Sequence, residues 1–476
     1  MARWSPVLLL LSFLVILQKS ISSTPNHVQQ LPGFKGQLPF QMETGYLTVD
    51  EVNGVELFYY FIESERNASE DPLLLWLSGG PGCSSFSALF FEIGPVKFQI
   101  DAYDGSVPTL LYNPYSWTKV SSIIFLDYPA GTGFSVPTVS QTYMTGDSSS
   151  SNQVYGFLKK WLVEHPRFRT NGFYVAGDSY GGMLVPVVAQ FIADGNDVKE
   201  QPFINLQGYI IGNPRTGERI DTKARVPFAL GMGIISDEFA ELVEKDCAGQ
   251  DYENPKTAEC AARLDTFKKY RWELSETDVL EPKCATDFPR PKDIAREYYK
   301  RSLNEDSFGR LFRPPKAPEL RCKGYAYYLG YFWANENVTR EALQIRKGTV
   351  SEWQRCNNFD YLKDIPSSLP YQLNLLKRGY RALVYSGDHD MLIPFVGTKL
   401  WIKSLNLTVV DPWRSWSVDD QVAGYTVLYS NDLTFATVRA AGHTAPEFKP
   451  QQCFAMFDRF TMDFLHIICR KPRYNE

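Results

Sequence analysis

The stretch Asn171–Pro186, NGFYVAGDSYGGMLVP, constrains the fold of this chain more than any other feature. An apolar run leads into GDSYG at residues 177–181, and this G-x-S-x-G spacing is typical of a sharp turn from a strand into a helix that lifts a serine hydroxyl above a sheet. The outer glycines leave room for the turn, because a side chain there would meet neighbouring backbone. Apolar residues at helical spacing follow. We predict that Ser179 lies at such a turn; an ordinary turn with a capping serine is the alternative.

Short apolar runs along the rest of the chain predict strands that are buried on both faces. These runs are Leu73–Leu77, Ser122–Leu126, Phe173–Ala176, Tyr209–Ile211, Arg381–Ser386 and Leu433–Val438. Tyr46–Val49 and Val55–Ile62 flank Asn53-Gly54, which is a strong hairpin signal. Helical periodicity separates several of the runs, and the chain of 476 residues is 44% hydrophobic. The pattern predicts an α/β fold with a mostly parallel central sheet and helices on both faces.

The segment from about Pro214 to Trp353 has a different character. Its charge is higher, it holds four of the eight cysteines, and it lacks apolar strand runs. We expect helices and loops joined by disulfides, inserted as a cap over the sheet of a single domain at residues 24–476. Within the cap, Arg290–Glu319 is rich in Arg, Lys and Pro, and we expect it to be exposed and open to proteolytic nicking.

The N-terminal segment Met1–Ser23 has the composition of a secretory signal peptide. Arg3 precedes an apolar core that is too short for a comfortable membrane span. Three N-x-S/T sequons, which suit a glycoprotein of the secretory pathway, lie at Asn67, Asn337 and Asn406. We expect a mature protein without a membrane span, located in the vacuole or outside the cell. A net charge of -5 and the lack of a basic run argue against nucleic-acid binding.

The eight cysteines point to disulfides rather than to a metal. They lie at positions 83, 247, 260, 284, 322, 356, 453 and 469, without the paired C-x-x-C spacing of a zinc site. Only five histidines could supply further ligands. We therefore expect no metal site, while the sequence alone leaves the pairing of the cysteines open.

A serine at such a turn needs a base that takes its proton and an acid that orients the base. His443 is our candidate for the base, because it follows a predicted strand in a loop of small residues, from which it can reach across the carboxyl edge of the sheet. The other histidines are less suitable. His27 lies just past the predicted signal peptide, and His165 lies at the exposed end of a predicted helix. His389 lies between two aspartates, and His466 lies in the C-terminal segment.

Asp388 and Asp390 follow another predicted strand, after Ser179 and before His443 in the chain. Asp388 directly follows a glycine, and such an aspartate often bonds the backbone of its own turn. Asp390 is therefore our candidate for the acid and Asp388 a structural support; the alternative is that both only cap a turn. The glycine-rich loop SGGPGCSS at residues 78–85 could bring backbone N–H groups up to an oxyanion, or it could be a plain tight turn.

Four motifs together resemble the serine carboxypeptidase family of α/β-hydrolases. They are WLSGGPGCSS, GDSYGG, YSGDHDMLIP and AGHTAPEFKP, and the resemblance covers nearly the whole mature chain. It implies an α/β-hydrolase fold, the catalytic residues Ser179, Asp390 and His443, and an oxyanion hole made by the backbone N–H groups of Gly80 and Tyr180. It also implies the disulfides Cys83–Cys356, Cys247–Cys260 and Cys284–Cys322 and leaves Cys453 and Cys469 unassigned.

The substrate pocket implied by the resemblance departs from that of the family's peptidases. It comprises Ser78, Gly79, Glu92 and Asp178. Peptidases of the family hold the terminal carboxylate of a peptide with an asparagine where this chain has Ser78, and with a glutamate where it has Asp178. Ser78 offers one rotatable hydroxyl in place of an amide, and Asp178 is one methylene shorter than glutamate. A carboxylate buried beside Asp178 and Glu92 without good donors would be costly, so we expect peptide ends to bind poorly.

These replacements resemble the plant acyltransferase branch of the family, as do LPGFKGQLPFQMETGY, PAGTGFSV, DDQVAGYTVLYS, TFATV and HTAPEF. The resemblance implies transfer of an acyl group from a 1-O-acyl-β-glucose to an acceptor hydroxyl through an acyl-Ser179 intermediate. The partners are then two small molecules, and no cofactor is required because the glucose ester carries the activation. A serine carboxypeptidase is the alternative, and a binding protein on an inactive hydrolase scaffold is a third reading. Gly181-Gly182 is a variation that the sequence does not explain.

Overall fold

The computed structural model describes residues 26–100, 106–136, 144–283 and 323–462. Several predictions concern residues outside these ranges: the signal peptide, the segment 290–319, the Cys284–Cys322 disulfide, Cys469 and His466. In the part of the chain that the structure describes, no helix is both long and apolar enough to cross a membrane.

Among the described residues, the strands form one large sheet and two small ones. In chain order they are β1 (Asn26–His27), β2 (Met42–Asp50), β3 (Val55–Ile62), β4 (Leu73–Leu77), β5 (Val96–Phe98), β6 (Leu110–Tyr112), β7 (Ser122–Leu126), β8 (Thr145–Gly146), β9 (Phe173–Asp178), β10 (Leu206–Gly212), β11 (Tyr361–Leu362), β12 (Arg381–Gly387), β13 (Val409–Val418), β14 (Gln421–Tyr429) and β15 (Leu433–Val438). The large sheet has the order β1-β2-β3-β7-β4-β9-β10-β12-β15-β14-β13. Its central strands β7, β4, β9, β10, β12 and β15 are parallel, and both edges are antiparallel. The predicted, mostly parallel sheet is therefore confirmed.

The predicted apolar runs all lie in strands of this sheet, and the reason is visible in β4. Leu73, Leu75 and Leu77 enter the apolar cluster on one face, while Leu74 and Trp76 enter the cluster on the other. All five side chains are fully buried. A strand with cores on both faces needs apolar residues at every position, which produces the continuous run seen in the sequence.

The sequence analysis did not predict the hairpin of β13 and β14. β13 is the last strand of the sheet within the described ranges and has exposed residues along much of its length. It carries Asp411, Pro412 and Arg414, so it lacks the apolar run of a buried strand. Pro412 is tolerated because a proline, which has no backbone N–H, fits an edge strand.

Helices cover both faces of the sheet. In chain order they are α1 (Asp147–Glu164), α2 (Gly181–Asp197), α3 (Ile220–Lys223), α4 (Arg225–Gly231), α5 (Asp237–Asp246), α6 (Ala258–Trp272), α7 (Gly324–Asn335), α8 (Asn337–Ala342), α9 (Leu369–Lys377), α10 (Phe395–Ser404), α11 (Ala445–Phe448) and α12 (Pro450–Thr461). Shorter helical turns lie at Ala88–Glu92, Trp117–Lys119, Pro166–Phe168 and Ser430–Asp432. α1, α2, α9 and α10 pack on one face, and α7, α12 and the turn Ala88–Glu92 pack on the other. This arrangement agrees with the predicted layers.

The described part of residues 214–353 contains helices α3 to α8 and no strand. Helices α4, α5 and α6 form a third apolar cluster, to which Val226, Val243, Phe267 and Met391 belong. Met391 lies in the loop after β12, so this cluster joins helices α4, α5 and α6 to the carboxyl edge of the main sheet.

Two of the disulfides implied by the resemblance are present. Cys247–Cys260 joins the end of α5 to the start of α6, and Cys83–Cys356 joins the glycine-rich loop after β4 to the chain beyond α8. Cys453 is a free thiol within α12. Its complete burial means that it packs as a small apolar residue.

The sequons differ in their exposure. Asn337 and Asn406 are exposed, whereas Asn67 is half-buried. Asn67 lies in a turn, where its Oδ1 accepts from the Ser69 hydroxyl at 2.7 Å. Glycosylation of the three sites stays a prediction.

Candidate active site

Ser179 lies at a sharp turn between the end of β9 and the start of α2, as predicted. Its φ of 53° is in the left-handed region, which a serine rarely adopts. The glycines on either side permit this turn, because a Cβ at Gly177 or Gly181 would lie 2.2 or 2.6 Å from the carbonyl oxygen of Leu77. The backbone thus raises the Ser179 hydroxyl above the carboxyl edge of the sheet.

Gly182, which the sequence analysis left unexplained, has a packing role. A Cβ at this position would lie 2.4 Å from Cβ of Pro214 and 2.6 Å from the carbonyl oxygen of Arg215. The loop after β10 therefore crosses directly over the start of α2. The second glycine is needed because two backbone segments meet there.

The structure brings Ser179, His443 and Asp390 into one line of contacts. His443 Nε2 lies 2.8 Å from Ser179 Oγ, and His443 Nδ1 lies 2.8 Å from Asp390 Oδ2. Asp390 follows β12, and His443 follows β15. An Nδ1–H that donates to the carboxylate leaves Nε2 free to accept the serine proton. The three side chains are thus arranged for general-base activation of a serine hydroxyl.

Asp390 is fully buried and holds several further hydrogen bonds. The backbone N–H groups of Leu392 and Ile393 donate to it at 2.8 and 3.2 Å. Asn213 Nδ2 donates to Asp390 Oδ2 at 2.8 Å, and Asn213 Oδ1 accepts from Gly387 N–H at 3.1 Å. The sequence analysis missed Asn213. The sequence feature that could have identified it is its position as a polar residue immediately after a buried strand, at the same edge of the sheet as the other site residues.

The neighbouring candidates have other positions. Asp388 Oδ1 accepts from the backbone N–H of Ala440 at 2.7 Å, so it bonds the loop after β15, 52 positions along the chain, as well as standing beside its own turn. His389 Nδ1 lies 3.5 Å from Asp278 Oδ1. The expectation that His165 is exposed is wrong, because this side chain is buried, with Nε2 2.9 Å from Glu43 Oε1. Packing of the helix end against a distant strand buries His165, which its own segment does not reveal.

Two opposing effects set the basicity of His443. Burial lowers the pKa of its imidazole, but the charge of Asp390 and the hydrogen bond to it outweigh burial, so that the pKa lies above its usual value. The charge of Asp178 acts in the same direction, and that of Arg225 acts against it. The imidazole is therefore a stronger base than a free histidine side chain.

The glycine-rich loop after β4 lies against the turn of Ser179. A Cβ at Gly79 would lie 2.7 Å from Cβ of Ser179 and 2.8 Å from the backbone nitrogen of Tyr180. Gly79 N–H donates to Asp178 Oδ1 at 3.3 Å. Gly80 and Tyr180, the implied oxyanion donors, thus belong to two backbone segments in direct contact.

Asp127 anchors the far end of this loop. It is fully buried and accepts from the Ser84 hydroxyl at 2.6 Å, the Ser85 N–H at 3.0 Å and the Phe134 N–H at 2.9 Å. Burial raises the pKa of Asp127 to about 7, while these hydrogen bonds act in the opposite direction. Together with the Cys83–Cys356 disulfide, Asp127 holds the loop in a fixed position.

A short segment between α6 and residue 283 binds the loops that carry the acid and the base. The carbonyl oxygen of Thr277 accepts from His443 N–H at 2.7 Å, and that of Glu276 accepts from Met391 N–H at 3.0 Å. Val279 N–H donates to the carbonyl oxygen of His389 at 3.1 Å. The inserted segment is therefore part of the support of the site.

A cavity of about 470 Å³ opens at Ser179. The predicted site residues that line it are Ser78, Gly79, Gly80, Glu92, Asp178, Ser179 and His443. Residues that the sequence analysis did not single out also line it, among them Thr277, Lys323, Tyr327, Arg355 and Glu447. Inserted residues thus form part of the wall, and a cavity of this size suits a small-molecule ligand.

Three carboxyl groups in the lining of this cavity, those of Glu92, Asp178 and Glu447, lie near one another, and the charge of Arg355 acts on the first two. Burial, with the nearby charges of Asp178 and Glu447, raises the pKa of Glu92 well above its usual range. Burial also raises the pKa of Asp178, to about 6. Glu92 Oε2 is buried and has no hydrogen-bond partner among the described residues. Tyr327 and Thr444 each donate to Glu447 Oε2 at 2.7 Å. A protonated Glu92 would present a neutral hydrogen-bonding group to a ligand.

The described ranges contain no group of three or more His, Cys, Asp or Glu side chains arranged to hold a metal ion. The groups that meet at the site are the Ser179 hydroxyl, the buried His443 imidazole 2.8 Å from it and the backbone N–H groups of the adjoining loops.

Comparison with known proteins identifies relatives of this chain. The profile of the serine carboxypeptidase family matches residues 32–463. Serine carboxypeptidase-like 3 of Arabidopsis thaliana is 46% identical over 456 residues, which are 95% of this chain and 96% of that protein. Serine carboxypeptidase-like 12 of the same plant is 45% identical over 456 residues, covering 95% of this chain and 97% of its own length.

A solved structure supports the fold. The prohormone-processing carboxypeptidase Kex1 of Saccharomyces cerevisiae superposes with a TM-score of 0.66 over 89% of this chain and 92% of its own, at 20% sequence identity. The fold is thus that of the α/β-hydrolases, as implied by the motifs. Because the family profile spans most of the sequence and relatives match nearly its full length, the chain belongs to the serine carboxypeptidase family.

Proposed function

We propose that this protein transfers an acyl group from a 1-O-acyl-β-glucose to the hydroxyl group of a second small molecule, through an acyl-enzyme on Ser179. The observation that carries the proposal is the contact of Ser179 with His443 and of His443 with Asp390, at the mouth of a cavity with a carboxyl-rich wall. No cofactor takes part in the proposed reaction.

The first step forms the acyl-enzyme. Ser179 Oγ attacks the ester carbonyl as its proton passes to His443 Nε2, and the bond from the carbonyl carbon to the glucose oxygen breaks. Glucose leaves with the proton from His443. We assign the oxyanion to the backbone N–H groups of Gly80 and Tyr180, because the loop of Gly79 and Gly80 lies against the Tyr180 nitrogen.

The second step releases the product. The acceptor hydroxyl gives its proton to His443 Nε2 and attacks the acyl carbon, and Ser179 Oγ leaves and regains a proton from His443. Water can attack in the same way, so transfer depends on the acceptor being held in place of water. Residues of the inserted segment, among them Thr277, Lys323 and Tyr327, line the cavity and would provide this hold.

The carboxyl-rich wall favours an uncharged donor over a peptide end. Ser78 Oγ already accepts from Trp76 Nε1 at 3.2 Å, and Asp178 and Glu92 stand next to the place where a peptide carboxylate would bind. The raised pKa values of both acids have burial as their main cause, which also makes a further buried anion unfavourable. Sugar hydroxyls, by contrast, can both donate to and accept from these groups.

A serine carboxypeptidase is the second candidate, and one observation favours it. Lys323 and Arg355 line the same cavity, and their positive charges could pair with a peptide carboxylate. The two candidates share the acyl-enzyme and differ in the leaving group and in the acceptor. Product analysis therefore separates them.

The test uses the full secreted chain with two substrates in parallel. One reaction contains 1-O-benzoyl-β-glucose and a set of small alcohols, and the other contains an N-blocked dipeptide. Mass spectrometry of the products, with Ser179→Ala as the control, measures benzoyl ester formation, glucose release and amino-acid release. We expect Ser179-dependent benzoyl esters and little release of the terminal amino acid.

Two other outcomes would count against the proposal. Release of the terminal amino acid without any acyl exchange would establish the peptidase instead. Inertness to both substrates and to a serine-reactive phosphonate would favour a binding protein on a hydrolase scaffold. The phosphonate arm reports directly on Ser179, because its label must vanish in Ser179→Ala.

We further propose that the protein is a glycoprotein of the secretory pathway that resides in the vacuole or outside the cell. The predicted signal peptide and the sequons at Asn67, Asn337 and Asn406 support this location. Treatment of the protein from plant tissue with an endoglycosidase should increase its electrophoretic mobility, and no change would contradict the proposal.

A further inference from the structure

A second cavity lies away from Ser179, in the inserted segment. Its volume is about 280 Å³, and none of its lining residues lines the cavity at Ser179. Helix α6, the ends of α3 and α4 and the loop at residues 252–255 surround it. The family resemblance and the proposed reaction assign no role to this space.

Two guanidinium groups meet at this cavity. Arg225 and Arg271 both line it, and they are close enough that the charge of Arg271, after burial, lowers the pKa of Arg225. Arg271 Nη2 donates to Glu276 Oε2 at 2.6 Å, but Arg271 Nε is buried without a hydrogen-bond partner among the described residues. A buried N–H of a cation without an acceptor is costly, so the one carboxylate bound to Arg271 does not fill the donor capacity of its guanidinium group.

The three carboxylates whose charges act on Arg225, those of Glu276, Glu253 and Asp390, each bind another side chain, and Glu276 binds Arg271. Both oxygens of Glu253 accept from Arg215 Nη2, at 3.0 and 2.8 Å. Asp390 is bound to His443 and to Asn213. Arg225 Nε donates to the carbonyl oxygen of Leu392 at 2.9 Å. Among the residues that the structure describes, no carboxylate is hydrogen-bonded to Arg225.

The remaining walls determine what kind of anion would fit. The apolar lining comes from Tyr252, Pro255, Ala261, Leu264 and Phe267. Asp265 and Lys268, which are exposed and of opposite charge, also line the cavity. The lining has three cations, Arg225, Lys268 and Arg271, against two carboxylates, Glu253 and Asp265. With its apolar walls it suits an anion that carries a hydrocarbon body, and the planar guanidinium group matches the two oxygens of a carboxylate.

We propose that this cavity binds a small carboxylic acid with an aromatic or aliphatic body, its carboxylate held between Arg225 and Arg271 and its hydrocarbon part against Tyr252, Leu264 and Phe267. The site is separate from the cavity at Ser179. When water attacks the acyl-enzyme, the acid that is released is such a carboxylic acid. Only this link to the reaction rests on the proposed function. Arg225 also contacts the carbonyl of Leu392, two residues beyond Asp390, so the bound acid would lie beside the loop of the proposed active site.

Binding is tested on the full chain with Ser179→Ala, so that no turnover interferes. Isothermal titration with trans-cinnamate at low salt is compared among three proteins: Ser179→Ala alone, with Arg271→Gln added, and with Lys269→Gln added. Lys269 is an exposed residue of the same helix that does not line the cavity, which makes it a matched control. Circular dichroism of the three proteins checks that each is folded.

We expect cinnamate to bind the parent, Arg271→Gln to weaken binding at least tenfold, and Lys269→Gln to leave it unchanged. Binding that persists in folded Arg271→Gln would place cinnamate in the other cavity and overturn the proposal. Inorganic phosphate that competes as well as cinnamate, or the absence of any binding to the parent, would overturn it as well. Since Ser179→Ala is used throughout, a failure of the proposed acyl transfer would leave this result intact and distinguishable.

Discussion

Asn213 should control the rate of the proposed reaction without touching the substrate. Its Nδ2 donates to Asp390 Oδ2 at 2.8 Å, the same oxygen that His443 Nδ1 approaches. Asn213 is fully buried and does not line the cavity at Ser179. Its φ of 40° is in the left-handed region, which glycine and aspartate tolerate. Asn213→Gly and Asn213→Asp therefore change the side chain while keeping the backbone.

The glycine variant removes one hydrogen bond to a buried carboxylate. Such a bond contributes about 1.5–3 kcal/mol, and each 1.36 kcal/mol corresponds to a factor of ten in rate. If the whole contribution is lost from the transition state, kcat falls between about tenfold and about 150-fold. KM should stay unchanged, because the substrate does not contact Asn213.

The aspartate variant places a second carboxyl group about 2.8 Å from Asp390 Oδ2. Two ionised groups at this distance repel by roughly 6 kcal/mol at an effective dielectric constant of about 20, so one of them takes up a proton. The protonated Asn213→Asp side chain can still donate to Asp390. Activity relative to the wild type should therefore be retained at low pH and fall as the pH rises and the second carboxyl group ionises.

The assay is the pH dependence of kcat and KM for acyl transfer, with Asn431→Gly as the matched control. Asn431 also has a positive φ, and its Nδ2 donates to the carbonyl oxygen of Leu376 at 3.1 Å, away from the site. The kcat of Asn431→Gly should be close to that of the wild type. A full kcat in Asn213→Gly, or a pH profile of Asn213→Asp that parallels the wild type, would refute this reasoning.

Three further predictions concern the walls and supports of the site. The double variant Cys83→Ser/Cys356→Ser removes a disulfide between residues 273 positions apart, and its free energy of unfolding should be lower by about 2–5 kcal/mol. An unchanged denaturation midpoint would contradict this. Gly79→Ala places a Cβ 2.7 Å from Cβ of Ser179 and should lower kcat at least about a hundredfold in the acyl-transfer assay. The control is Gly156→Ala in α1, where the added Cβ meets open space and kcat should stay unchanged. Burial raises the folded-state pKa of Glu92, so the wild type loses stability as the pH rises above the carboxyl pKa of the unfolded chain, about 4.3. Glu92→Gln lacks this cost, so its free energy of unfolding relative to wild type should increase between pH 4 and 7 in chemical denaturation. A constant difference would count against the buried, protonated carboxyl.

The sequence analysis succeeded where a local pattern carries the information. Strands that are buried on both faces produce continuous apolar runs, and Ser179, Asp390 and His443, which each follow such a run, were chosen as candidates that the structure brings into contact. The analysis failed where burial depends on distant packing. His165 was expected to be exposed, yet Glu43, 122 positions away, lies against it. The edge strand β13 was missed because exposed residues leave no apolar run.

By itself, the sequence determined the buried strands of the central sheet, the turn of Ser179 and the family to which the chain belongs. These features follow from nearest neighbours in the chain, since side-chain periodicity and glycine spacing act over a few residues. Only the tertiary structure decided that Asn213 meets Asp390 across 177 positions, that the carbonyl of Thr277 holds His443 N–H, and that Arg225 and Arg271 share a cavity. Such contacts join segments that the chain brings together only when it folds, so no local pattern encodes them.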